Sequence, residues 1–175
     1  MGLFSNEEFN SMSDLLIEQL KDLYDAEQQL MEALPKMADA ANSSTLKDAF
    51  SSHLEQTQGH VARLEEAFAA LGLRAERQTC KAMKGLIAEG SDVISAKGDK
   101  AVRDAALIAA AQRVEHYEIA GYGTARTFSE QLGLPQVTSL LEQTLGEEKE
   151  ADEKLTAIAI EKVNPKALGK IAATA

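Results

Sequence analysis

The chain has 175 residues, a length that favours one domain, because a single hydrophobic core usually serves about 100 to 200 residues. Apolar residues make up 45% of it, aromatics only 5%, and tryptophan is absent; with abundant alanine, this favours helix and argues against an all-β sandwich. Lys plus Arg number 18 against 28 Asp plus Glu, a formal net charge of -10, so phosphate backbones and anionic lipid are repelled and neither nucleic acid nor a membrane is expected as partner.

Three prolines and widely spaced glycines leave long uninterrupted intervals, which predicts a few long helices. Helix A is expected over about residues 8–41, where Leu16, Leu20, Leu23, Leu30 and Leu34 recur at three- and four-residue steps. Pro35 lies inside it and predicts a bend near Leu34 rather than a stop. Asn42, Ser43, Ser44 and Thr45 offer N-cap chemistry for helix B over 45–71, which Gly72 ends. Residues 72–98 read as a long crossover containing a short helix around Lys81 to Ala88, interrupted by Gly85 and Gly90. Asp99 can cap helix C over 100–132, and Pro135 opens helix D over 135–163 after the tight junction at Gly133. Pro165 is expected to end that helix and leave a frayed tail at 166–175. Two antiparallel helical hairpins joined by one long crossover form the connectivity of an all-α, ferritin-like four-helix bundle in a single domain spanning 1–175. The lone Cys80 cannot form an intrachain disulfide, the opening MGLFSNEEFN lacks the basic and apolar regions of a secretory signal, and no apolar run approaches a membrane span. A cytoplasmic location is expected.

Helical phase places carboxylates where leucines belong. Glu27 is the centre of the helix A stripe; Glu118 is the centre of Leu107, Ala111, Val114, Ala125 and Leu132 in helix C, with Tyr122 one turn on; Glu148 is the centre of Val137, Leu141, Thr144, Leu155 and Ala159 in helix D, with Asp152 one turn on. A single such glutamate is ordinarily a boundary residue that reaches solvent. Three converging ones call for a cation or for protonation, because a buried ionised acid costs several kcal/mol when unpaired. Carboxylate oxygens in a helix bundle suit iron or manganese. In helix B the stripe Phe50, Leu54, Thr57, Val61, Leu64 and Phe68 centres on Thr57, with His53 and His60 on one shoulder. His60 can reach inward from there; His53, two turns away, is assigned no place at the same ion. Glu55 and His116 are expected to face outward.

The stretches LYDAEQQL, HLEQTQGHVARLEEAF, CKAMKGLIAEG, VRDAALIAAAQRVEHYEIAGYGT and LGEEKEADEKL resemble the YciF/YciE family of bacterial stress-associated, ferritin-like proteins, over about Met12 to Asn164. The resemblance implies a homodimeric ferritin-like bundle. A more distant similarity to rubrerythrins implies a pattern of Glu on the first helix, Glu-x-x-His on the second, Glu-x-x-Glu on the third and Glu-x-x-His on the fourth. Glu27 matches the first, Glu115 and Glu118 the third, and Glu148 the fourth. On the second, His60 is retained but Thr57 replaces the carboxylate; on the fourth, Ala151 replaces the histidine, with Asp152 one residue later as the candidate substitute. A site short of one carboxylate and one nitrogen is therefore expected.

The expected function is that of a ferritin-like stress protein binding one or two iron or manganese ions through Glu27, Glu118 and Glu148, with His60, Glu115 and Asp152 added, in peroxide or oxygen handling, with Tyr122 donating a hydrogen bond. The alternative is a structural or interaction protein of the stress response, with other stress proteins as partners and a degenerate, metal-free core. Leu15, Ile17 and Met31 make helix A apolar on a second side, which either covers the crossover or, as the family resemblance implies, joins two copies.

Overall fold

The computed structural model describes residues 9–172; residues 1–8 and 173–175, which include the first residue of expected helix A and the end of the expected tail, lie outside the described residues. Every regular element among the described residues is a helix, and none of them is a strand. Helix α1 (Met12–Ala40) starts later than expected because Ser11, in extended backbone, accepts from the Asp14 amide at 3.1 Å and fixes the N-cap there. It runs unbroken through Pro35, which sits on the solvent side, where a lost backbone bond is replaced by water. Its buried face, Leu16, Leu20, Leu23, Glu27, Leu30, Leu34 and Met37, steps alternately by four and three residues.

Helix α2 (Ser44–Ala70) follows after three residues and lies against α1. Its N-cap, Ser43, makes no side-chain capping bond. Instead, Asp104 reaches over from the next long helix and accepts from the Asn42 and Ser43 amides at 2.8 Å each, satisfying donors that the helix leaves unpaired. Beyond α2 the chain turns at Gly72 (φ +73°), a left-handed conformation that disfavours any side chain.

The crossover contains α3 (Lys81–Ser95), a full 15 residues, so neither Gly85 nor Gly90 interrupts it. Packing on α1 and on α4 outweighs their low helix propensity. Asp25 of α1 holds the start of α3 in place: it accepts from the Cys80 amide at 2.8 Å, from Arg77 at 2.8 Å and from Gln29 at 2.6 Å. Helix α4 (Lys100–Gln131) is capped by Asp99, whose Oδ1 accepts from the Ala101 amide at 2.8 Å, and α5 (Pro135–Ile158) opens on proline.

Pro165 does not end the helical run: the expected tail from residue 166 is helix as far as Ala172, and its last three residues lie outside the described ones. A single π-helical turn, Ala159–Val163, leads into α6 (Asn164–Ala172), with the Asn164 amide bonded back to the Ala159 carbonyl. The wider turn displaces the carbonyl that the proline ring would strike in a regular α-helix. Val163 and Ala167 are buried, and α6 packs on α4.

The four long helices close into a ring, α1 on α2 and α4, α5 on α4 and α2. The interior is two apolar clusters rather than one. One holds Leu16, Leu20, Leu23, Leu64, Phe68, Tyr122 and Leu141; the other holds Leu30, Leu34, Phe50, Leu107, Val114 and Leu155. On every helix the break between them falls at the polar residues: Glu27 between Leu23 and Leu30, His53 to His60 between Phe50 and Leu64, Glu115 and Glu118 between Val114 and Tyr122, Glu148 between Leu141 and Leu155. Gly121 lets α1 and α4 approach closely at this level; a Cβ there would come within 2.8 Å of Leu23 Cδ2.

Candidate metal centre

Four glutamates and two histidines fill the polar layer, all of them buried. One ligand atom from each of His53, Glu115, Glu118 and Glu148 lies within 4.8 Å of the others, and the same holds for Glu27, His60 and Glu148. Two groups thus meet at Glu148. His60 Nδ1 is 2.9 Å from Glu148 Oε1 and 3.3 Å from Glu27 Oε1. His53 Nε2 is 3.5 Å from Glu115 Oε1 and 3.6 Å from Glu148 Oε2. Tyr122, fully buried, donates to Glu27 Oε1 at 2.5 Å.

Each imidazole has an acceptor on its outer nitrogen and faces carboxylates with its inner one, His60 Nδ1 at ion-pair distance from Glu148 and His53 Nε2 with no acceptor closer than 3.5 Å. His60 Nε2 lies 2.9 Å from Glu147 Oε2, and Glu147 is gripped in turn by both terminal nitrogens of Arg63 at 2.7 and 2.9 Å. His53 Nδ1 is 3.4 Å from Gln56 Oε1. An acceptor on the outer nitrogen keeps a proton there, so that loss of the inner proton from His60 would leave its lone pair toward the carboxylates, the orientation a metal-ligating histidine needs. Nine buried side-chain atoms among the described residues lack a hydrogen-bond partner, and eight belong to this layer: Glu27 Oε2, His53 Nε2, His60 Nδ1, Glu115 Oε2 and both oxygens of Glu118 and of Glu148. The ninth is Arg103 Nε. Buried polar atoms are nearly always satisfied, so their concentration in one layer sets it apart, although His60 Nδ1 and Glu148 Oε1, 2.9 Å apart, satisfy each other once the ring is protonated.

Without a cation the layer must hold protons. Burial, reinforced by Glu27 and Glu148, pushes Glu118 well above the usual carboxylate range, and burial beside Glu148 does the same to Glu115. Burial also raises Glu27, partly offset by His60. Burial opposes charge on His60, but Glu148 and Glu27 beside it raise its pKa to about 10. Glu148 is lowered, because the bond and charge of His60 overcome its burial, whereas burial lowers His53. These directions favour, in the metal-free core, an imidazolium at His60 paired with Glu148 and protons held on Glu115 and Glu118.

The structure brings together Glu27, His60, Glu115, Glu118 and Glu148 from the expected set. Asp152 it leaves out: half-buried, it accepts from Gln112 at 2.9 Å and faces His116 at 3.4 Å, one residue past the phase that points inward. Thr57 is buried but spends its hydroxyl on the His53 carbonyl at 2.9 Å, and Glu55 is exposed. The residue that sequence reasoning missed is His53. Leu54 and Val61 drew the helix B stripe to one side, yet both are only half-buried. The buried row is Leu46, Phe50, His53, Thr57, His60 and Leu64, the same four-three step as in α1, which was the available signal. Although two turns apart, the two rings lean together, their centroids 6.1 Å apart, so that His53 serves the second group. A void of about 20 Å³ lined by His53, Gln56, Glu115, Ala151 and Lys154 adjoins that group.

The comparisons with known proteins agree with this architecture. Protein YciF of Escherichia coli (strain K12) is 48% identical over 161 residues, covering 91% of this chain and 97% of that protein. The crystal structure of the E. coli stress protein YciF matches with a TM-score of 0.86 over 89% of this chain and 99% of that one. YcfI of Rhodopseudomonas palustris, described as a candidate structural protein, matches with a TM-score of 0.85 at 43% identity over 89% of this chain and 99% of that one. A protein of Xanthomonas campestris pv. campestris, 21% identical with a TM-score of 0.69 over 93% of this chain and 97% of its own, shares the fold. The family described as "Domain of unknown function (DUF892)" matches residues 11–168, and this chain belongs to it.

Proposed function

We propose that the chain is a ferritin-like four-helix bundle, a cytoplasmic stress protein whose polar layer holds two divalent ions, iron or manganese. The atoms of the layer that reach no partner, above all both oxygens of Glu118 and His53 Nε2, carry this reading. Four carboxylates and two neutral imidazoles also match the charge of two divalent cations, and oxygen with imidazole nitrogen is the donor set those metals favour. Glu27 and His60 hold one ion, His53, Glu115 and Glu118 the other, and Glu148 is shared. Bound iron or manganese would supply one-electron chemistry toward peroxide or dioxygen. The chain's own part is to orient the ligands and take up protons. Arg63 and Glu147 set the His60 tautomer, Tyr122 restrains Glu27, and His60, Glu115 and Glu118 give up protons as ions enter.

The test is metal content. Protein purified without chelator, or loaded anaerobically with Fe²⁺ or Mn²⁺, is expected to carry about two ions per chain by elemental analysis, with anomalous scattering between the four long helices. Chains that bind none and melt at the same temperature with and without metal sink the reading.

A second reading, a structural protein with a metal-free core, draws on the ability of His60 and Glu148 to neutralise each other and on the description of the Rhodopseudomonas relative. The same titration separates the two. We also propose a homodimer, since Leu15, Ile17 and Met31 on α1 are only half-buried and Met12 is exposed. Sedimentation is expected to give twice the chain mass at micromolar concentration; a monomer at every concentration removes this part.

A further inference from the structure

Helix α3 does not close fully on the helices beneath it. Between it and α1 and α4 lies a void of about 40 Å³ walled by Leu30 and Met37, Ile87 and Ile94, Ala110 and Val114. Its polar neighbours, Lys36 and Ser91, are exposed and stand at the rim. A second observation concerns Gly90, which also lines this void. It is buried in the interior of α3, where glycine weakens a helix relative to alanine. A glycine inside a packed helix is normally explained by close approach, as at half-buried Gly121. At Gly90 no atom lies within 4 Å of the place a Cβ would take, and φ is not positive. Neither packing nor backbone conformation requires glycine here; what its missing side chain leaves is space.

The chemistry of the walls selects the occupant. A buried water needs two to four polar partners, and an apolar void without them stays dry and takes apolar guests such as xenon. The volume is several times the roughly 10–15 Å³ that admits a water and about a quarter of a cavity that admits benzene. That leaves room for a guest of one or two heavy atoms and excludes a ring. Leu30 lies one helical turn past Glu27, and Val114 one turn before Glu118, so these two wall residues stand between the void and the carboxylate layer.

We propose that this void is a binding site for a small apolar gas, dioxygen in the cell, stationed beside the carboxylate layer. Binding of the gas stands by itself; that it feeds a bound ion rests on the metal reading above.

Xenon is the probe, applied to metal-free protein so that the outcome does not depend on any ion. Xenon titration followed by methyl NMR is expected to give saturable shifts at Leu30, Ile94 and Val114, and pressurised crystals one xenon between α1, α3 and α4. Gly90→Ala is expected to weaken the response and Gly90→Val to abolish it, with melting curves showing that both variants fold. Ala110→Val narrows the void from the opposite wall and is expected to act alike, which keeps the test alive if Gly90→Val is misfolded. Absence of saturable shifts in the parent protein, or an undiminished response in the filled variants, overturns the proposal. Failure to bind iron or manganese, with xenon still bound, removes only the link to the metal.

Discussion

Glu118 is the most exposing test of the polar layer, because both its oxygens are buried without a partner. Glu118→Met removes them and leaves an unbranched apolar chain of similar length that packs adaptably. An unsatisfied buried polar group costs about 1–3 kcal/mol. The metal-free variant is therefore expected to be more stable than the parent by about that amount at neutral pH, or about 2–12 °C in melting temperature for a domain of this size. The dependence on pH follows from the raised pKa. Above the ordinary carboxylate range the unfolded chain has released the Glu118 proton and the folded chain has not, so stability falls as pH rises, by about 1.4 kcal/mol per pH unit for a group in that state. Glu115 adds to the slope. His60 adds too, since its contribution is fully present below the ordinary histidine value and is lost as pH rises toward about 10. Glu148, with a lowered pKa, contributes above its ordinary range and loses that only in acid. His53, lowered by burial, acts in the opposite sense up to the ordinary histidine value, so with chelator present the parent should lose stability as pH rises from there toward about 10, and Glu118→Met should lose less. Metal reverses both trends. A ligand at a hundredfold excess over Kd adds about 2.7 kcal/mol to the native state, and deprotonated ligands bind better as pH rises; the variant, short of a carboxylate, gains less. Thermal melts of both proteins across this range, with chelator and with Mn²⁺, give the comparison. A metal-free variant less stable than the parent, or a parent whose stability climbs with pH, refutes the reasoning.

Other outcomes bear on separate parts of the layer. His53→Ala should lower the bound metal from about two ions to about one, and adding Ala151→His should restore part of the loss, because the two positions line one void; elemental analysis of the single and double variants checks it, and no rescue counts against the shared space. Arg63→Met touches no candidate ligand but frees Glu147, and is expected to weaken metal binding about 10- to 100-fold in competition with a chromophoric chelator; unchanged affinity would mean that Glu147 does not orient His60. Gly90→Ala and Gly121→Ala both gain helix propensity, but only the second drives a Cβ into Leu23. The first should be stabilising and the second should melt lower than it by the overpacking cost, about 1–3 kcal/mol; equal melting temperatures would contradict the close approach of α1 and α4.

Much of this layer was legible in helical phase because glutamate at the centre of a leucine stripe breaks a rule visibly. Glu27, Glu118 and Glu148 each interrupt a row of leucine, valine and alanine, so the anomaly and the register come from the same residues. On α2 the pattern misleads. Histidine, threonine and glycine break the row so often that Leu54 and Val61, apolar but only half-buried, look like its centre. The boundaries that sequence missed have similar local causes. Ser11 fixes the start of α1 by one hydrogen bond, and Pro165 is accommodated by a π turn that no residue preference signals. The full length of α3 depends on contacts with α1 and α4 that lie far away in sequence.

The two departures from the rubrerythrin-like pattern also resolve into one physical change. A histidine at position 151 would project from α5 toward Glu115; alanine stands there, and the imidazole of His53, from α2, lies along the same void beside the same carboxylate. Set against the pattern that the rubrerythrin resemblance implies, the second imidazole of the layer comes from α2 and not from α5. Thr57 is part of the same difference. A glutamate at that position would compete with His53 and His60 for the space between them, whereas threonine folds its hydroxyl back onto the His53 carbonyl and vacates it. The carboxylate so lost is the fifth of the pattern, and the four that remain equal the charge of two divalent ions without a surplus to be buried. A layer of this composition is less costly to keep in a metal-free chain than the full pattern, since each further buried acid must be protonated or paired. On the metal reading, the residues present leave two nitrogens and four carboxylates in the layer with a void beside it, a donor set whose charge two divalent ions would balance.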